Sequence, residues 1–281
     1  MSIWYAIVSV LPFGWAIPGE MDFMKNALLA VILLAPVFSL LGTMVVNNRM
    51  AFFSDALGHS VFTGIAIGAL FGVIQPIWAA MIFAAVFALG ITLIKYKSRM
   101  PSDTVIGVFS SVAIALGIVL STLGGRSFAK LNKYLIGDIL NITAGEIGML
   151  LMVLIAVFVL WVLIFNKLAV ISVDRPLAAS RGIKVYFIEA LFTLAIAVVV
   201  TASISWIGLL VINSFLVLPA ASSRNITRNV RSYHLAAFLF SIFSGIAGLI
   251  ASYYLEIATG AAIVLVSAIC FFATFAFRNR S

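Results

Sequence analysis

Charge is scarce in this chain. Only 9% of its 281 residues are Asp, Glu, Lys or Arg, where a soluble domain carries about a quarter. With 64% hydrophobic residues and a mean hydropathy of +1.24, too little polar side chain is left to cover a globule in water. A water-soluble fold is excluded. Cysteine is scarcer still: Cys270 stands alone, which excludes an intrachain disulfide framework and a clustered thiolate metal site. There is no GxxxxGK[ST], no HExxH and no GxSxG, so no nucleotide-hydrolysing loop and none of the commonest membrane hydrolase signals is present. No span is charged heavily enough to resemble a voltage sensor.

What is abundant is long apolar sequence. A spanning helix needs roughly 20 mostly apolar residues. Candidate spans lie at about 27–46, 53–73, 76–95, 104–123, 147–165, 185–203, 206–221, 234–254 and 258–277. The expectation is an all-α polytopic membrane protein, one transmembrane domain over 1–281, with about nine spans and a range of eight to ten. The seventh span is short. The N-terminal apolar segment, residues 1–21, is broken by Pro12 and Pro18 and lacks the basic start of a signal peptide.

The net charge of +8 does not require nucleic acid as a partner, because basic residues of membrane proteins gather in cytoplasmic loops. With nine spans, one side holds all of the 17 basic residues except Lys25, Arg126, Lys130 and Lys133, a split of 13 to 4. This places the C-terminus in the cytoplasm and the N-terminus outside. Residues 124–146 carry three of the exceptions, and their apolar centre, 134–142, either dips into the protein or lies along its surface.

Most acids sit in loops or at span ends; Asp55 and Glu189 do not. Asp55 and His59 are four apart and share a helix face. An ionised Asp at mid-span costs about 2.5–3.5 kcal/mol on insertion scales, so the pair is expected to face a polar cavity or an ion path. Thr63 continues the stripe, and Gly64, Gly68 and Gly72 lie nearly opposite, suited to close helix packing. Carboxylate and neutral imidazole suit Zn, Mn or Fe(II), and a twofold dimer doubles two ligands to four. A hydrogen-bonded pair that merely holds helices together has the same spacing. Glu189 is expected to pair locally with Lys184 or Arg181. His234 reads as an interfacial residue, and Arg224, Arg228 and Arg231 as positive-side anchors.

Between the fifth and sixth spans, residues 174–182 read DRPLAASRG. Asp174 suits a helix cap, Pro176 a first turn and Gly182 the position past a helix end, with Ala178 in the middle. The pattern predicts a short surface helix, either a connector or a docking element.

Residues 42–64, GTMVVNNRMAFFSDALGHSVFTG, resemble the membrane permeases of zinc, manganese and iron ABC importers. Further blocks follow in order: SDTVIG at 102–107, LIGD at 135–138, 174–182, IGLL at 207–210 with LPAASSR at 218–224, and SYYL at 252–255 with Thr259, Gly260 and IVL at 263–265. The resemblance spans residues 22 to 275. It implies the permease architecture of an ABC importer in a bacterial inner membrane. Two permease chains would work with two ATP-binding subunits and an extracytoplasmic metal-binding protein, and ATP would be hydrolysed on the partner rather than on this chain. It also implies that Asp55 and His59 are the intramembrane metal residues and that Asp174, Ala178 and Gly182 belong to the ATPase-coupling segment. The sequence departs from the family pattern at Arg175, Pro176 and Leu177, where an acidic residue is usual.

The expected cargo is Zn2+, Mn2+ or Fe2+, held transiently, with no permanently bound cofactor. A protonated imidazole cannot ligate, so affinity is expected to fall in acid. Two alternatives share much of this sequence logic: a permease for a metal chelate or cobalamin-like cargo, and an energy-independent metal channel.

Overall fold

A computed structural model describes residues 2–9, 15, 21–72, 76–98, 100–123 and 139–277. Among them are ten α-helices: α1 (Ser2–Val8), α2 (Asp22–Asn47), α3 (Phe53–Leu70), α4 (Pro76–Lys97), α5 (Ser102–Leu123), α6 (Ala144–Val173), α7 (Arg175–Ser180), α8 (Val185–Ile226), α9 (Val230–Leu255) and α10 (Thr259–Ala276). Eight are long and apolar enough to cross a membrane. The seven-residue α1 is too short to do so. Pro12, Pro18, Arg126, Lys130, Lys133, residues 134–138 and the LIGD block lie outside the described residues.

Nine apolar segments become eight helices at one place. α8 runs for 42 residues, about 63 Å if straight, roughly twice the hydrocarbon thickness. It is not straight. Gly208 has φ 74° and ψ 160°, a conformation essentially reserved for glycine. The helix therefore divides into 185–207 and 209–226, matching the sixth and seventh expected spans.

Burial sorts the helices into two layers. The most apolar stretches of α2 and α3 are 67% buried and that of α8 is 78% buried, against 28% for α5, α6 and α10. The outer helices turn Ile82, Val86, Val112, Met152, Val162 and Leu163 outward. Apolar side chains on so large an exposed surface mark a lipid-facing one. Without water at that depth, packing between helices depends on small residues and close backbone approach. A Cβ added at Gly42 of α2 would lie 2.1 Å from the carbonyl oxygen of Leu216 in α8, and one at Gly248 of α9 would lie 2.5 Å from Cα of Ile263 in α10. Buried hydroxyls add polar ties, such as Thr92 of α4 to Thr193 of α8 at 2.8 Å.

Candidate functional site

Helix α3 begins directly after a tight turn. Asn48 N–H donates to the Met44 carbonyl and Met50 N–H to that of Val45, closing α2. Phe53 N–H then donates to the Met50 carbonyl at 3.0 Å and α3 starts. Asp55 falls in its first turn rather than at mid-span. There the unpaired N–H groups and the helix dipole favour a carboxylate, which lowers the cost of keeping it charged.

His59 follows one turn later, its Nε2 3.6 Å from Asp55 Oδ2. This is too long for a hydrogen bond, so the two groups are adjacent without being locked together. The Asp55 side chain is 47% exposed and that of His59 29%. Three neighbours cover the rest of α3. Gly58 takes the side chain of Leu209 from α8, and Gly64 takes the backbone of Ala80 from α4. Thr63 is buried and donates to the Ala113 carbonyl of α5 at 2.5 Å. Thr63 therefore belongs to the α5 contact and not to an open polar stripe. Gly72 also leaves the expected packing stripe: it lies past the end of α3 with φ 70° and nothing near it, so it is a turn residue. Gly68 is buried within α3 as expected.

A third polar group joins the pair. Asn213, five residues past the break in α8, donates its Nδ2 to Asp55 Oδ1 at 3.1 Å. Counting charges in the sequence passed over it, because an amide is neutral. The available signal was a lone carboxamide in the apolar run between Gly208 and Pro219. Among the described residues, no three His, Cys, Asp or Glu side chains come together. One chain thus offers a carboxylate, an imidazole and an amide, open on one side.

The second predicted element lies apart from this one. Helix α7 has its N-cap at Asp174, whose Oδ1 accepts from Leu177 N–H at 2.9 Å. Pro176 occupies the first turn. Ala178 is fully buried, and Gly182 at φ 74° ends the segment. The sequence pattern and the helix agree. Beside α7 is an open cleft of about 670 Å³, lined by Tyr96, Arg175, Pro176, Ala179, Lys184 and Tyr186 among others.

Glu189 does not pair as expected. Its Oε1 meets Arg175 of α7 and, at 3.6 Å, Lys95 of α4. Lys184 and Arg181 are local in sequence, but Glu189 faces inward, with a side chain only 5% exposed, and the cations that meet it there reach in from α4 and α7. His234, near the start of α9, is half-buried and packs among the rings of Trp161, Phe165 and Tyr233.

A lipid-facing helical bundle with a polar, partly open site on an inner helix is an arrangement that suits a membrane transport protein. The sequence pattern of the ABC 3 transport family matches residues 20–278, and the chain belongs to that family. It is 31% identical over 261 residues to the manganese transport system membrane protein MntC of Listeria monocytogenes, covering 93% of this chain and 92% of that one. It is 29% identical over 259 residues to the high-affinity zinc uptake system membrane protein ZnuB of Haemophilus influenzae, covering 92% and 99%. Among solved structures, PsaBC from Streptococcus pneumoniae in complex with Fab is similar at a TM-score of 0.76 and 28% identity, over 98% of this chain and 95% of that one.

Proposed function

We propose that this chain is the transmembrane subunit of an ATP-driven importer of divalent transition-metal ions, zinc or manganese first and iron(II) next. The observation that carries the reading is the Asp55–His59 pair on α3, partly open and steadied by Asn213, in a permease whose relatives are named for manganese and zinc. A carboxylate and an imidazole provide a borderline donor set that accepts these ions. Looseness suits the task, since a transport site must release its cargo and a closed structural site does not. Two such pairs facing each other in a homodimer would complete four-coordination. The α7 segment would receive the stroke of a separate ATP-binding subunit. Ions would arrive from an extracytoplasmic binding protein, with the C-terminus in the cytoplasm and the N-terminus outside.

The test is accumulation of radiolabelled zinc and manganese, each with the other as competitor. Cells would carry this chain with its ATPase and binding protein. Uptake of one metal is expected, lost on ATP depletion and reduced to background in Asp55→Ala and His59→Ala, both still inserted in the membrane. Normal uptake by either variant would remove the site assignment. Uptake that survives ATP depletion would favour a channel.

A further inference from the structure

One charged cluster is left over from the site. Lys95 is 7% exposed and the Glu189 side chain 5%, both inside the bundle. The second cation on Glu189, Arg175, is 38% exposed on α7. Arg175 hydrogen-bonds Glu189 Oε1, while Lys95 stands 3.6 Å from the same atom. Glu189 Oε2 has no hydrogen-bond partner among the described residues. Lys95 also directs its Nζ at Met50 Sδ, 3.4 Å away. A thioether is a weak acceptor, so the ammonium is shared between a weak partner and a strong one, Glu189, whose same oxygen Arg175 already holds.

Met50 is the residue from which α3 is built: it is 2% exposed, and its carbonyl accepts the N–H of Phe53, the first residue of that helix. Asp55 is two residues further on. A continuous line of contacts therefore runs from α7 through Arg175, Glu189, Lys95 and Met50 to the start of the helix that carries Asp55 and His59.

We infer that Lys95 is a positioning residue that conveys movement of α7 to the metal-site helix by shifting between its two contacts, Glu189 and Met50. The inference rests on the proposed role of α7 in receiving the ATPase stroke. With Arg175 seated on Glu189, Lys95 holds Met50 and the start of α3. When α7 moves and withdraws Arg175, Glu189 keeps only the Lys95 ion pair, at 3.6 Å. Lys95, already paired with it, closes onto the carboxylate and releases Met50. Such a pair is not needed for stability, because apolar residues of similar volume often replace buried ion pairs at no cost. Its use is that it has two arrangements.

The experiment uses the complete transporter, this chain with its ATPase and binding protein, in proteoliposomes. Metal uptake and ATP hydrolysis are measured together with zinc and with manganese. Lys95→Met keeps the Arg175–Glu189 pair neutral and fills the same space. Metal moved per ATP is expected to fall about tenfold, within the range of a single coupling element, while hydrolysis continues and the half-saturating metal concentration holds. Lys95→Arg, which keeps the charge, is expected to restore most of the ratio; a purely structural role would not separate these two readouts. Wild-type coupling in Lys95→Met overturns the inference. If that variant does not insert, Arg175→Met replaces it: the Lys95–Glu189 pair then stays locked, and uncoupling is again expected, with normal coupling overturning the inference. A wild-type complex that moves neither metal would overturn the functional reading itself. Wild-type uptake lost in Asp55→Ala, with Lys95→Met still coupled, would sink only the inference.

Discussion

Asp55 stands at the N-terminal turn of α3, where backbone N–H groups without intrahelical partners and the positive end of the dipole make room for an anion. This explains how a carboxylate can sit among apolar helices with only an amide hydrogen-bonded to it. Asn213 is then a positioning residue, because its Nδ2 orients the oxygen that does not face His59. A hydrogen bond to a charged group contributes about 1.5–3 kcal/mol. Asn213→Ala is accordingly expected to raise the half-saturating metal concentration about tenfold while the protein still inserts. Uptake titrations against wild type check this, and unchanged half-saturation would leave Asn213 a mere neighbour. The pair Asp55–His59 was legible in the sequence because its spacing is local. Asn213 was not, because it lies 158 positions from Asp55 and carries no charge.

At the scale of elements, the break in α8 and the short helix α7 make opposite demands on local sequence. Gly208 adopts φ 74° and ψ 160°, which costs a residue with a Cβ about 1–3 kcal/mol. Gly208→Ala is expected to lower the thermal midpoint of the detergent-solubilised protein by several degrees, read by unfolding-coupled fluorescence. An unchanged midpoint would mean that the backbone relaxes at no cost. In α7, Ala178 N–H donates to the Asp174 carbonyl and the side chain is fully buried. Ala178→Pro removes that donor and disrupts the helix, at about 3 kcal/mol. The expected outcome is loss of ATPase co-purification and of uptake, with the permease still in the membrane. Retained co-purification and full transport would argue against docking at α7. The caps of α7 were readable because Asp, Pro and Gly act within a few residues of where they stand. The partners of Glu189 were not, since proximity in sequence favours Lys184 and Arg181, whereas packing brings Lys95 from 94 positions away (189 minus 95).

For the whole molecule, the apolar exterior marks a multi-pass membrane protein, and the distribution of basic residues predicts its orientation. Arg49, Arg175, Arg181, Lys184, Arg224 and Arg228 fall on the side expected to be cytoplasmic. Arg181 is exposed in the turn after α7, so it reports the orientation. Arg181→Cys, in a chain whose Cys270 is replaced by Ala, is expected to react with a membrane-impermeant maleimide in inverted vesicles and not in intact cells. Labelling of intact cells would invert the topology.

Composition and periodicity alone determined that the chain spans a membrane many times as helices, where most of those helices lie, and that Asp55 and His59 share a face. Each of these follows from interactions within a few residues or from the preference of apolar segments for lipid. Only the tertiary structure decided that the sixth and seventh spans meet directly at a break at Gly208, that Thr63 faces α5, that Asn213 meets Asp55, and that Glu189 joins α7 to α4. Such contacts are set by which helices pack together. In a chain where nearly every helix is apolar on all sides, the apolar pattern leaves that choice open, and close backbone approach at a few glycines and a handful of buried polar groups decides it.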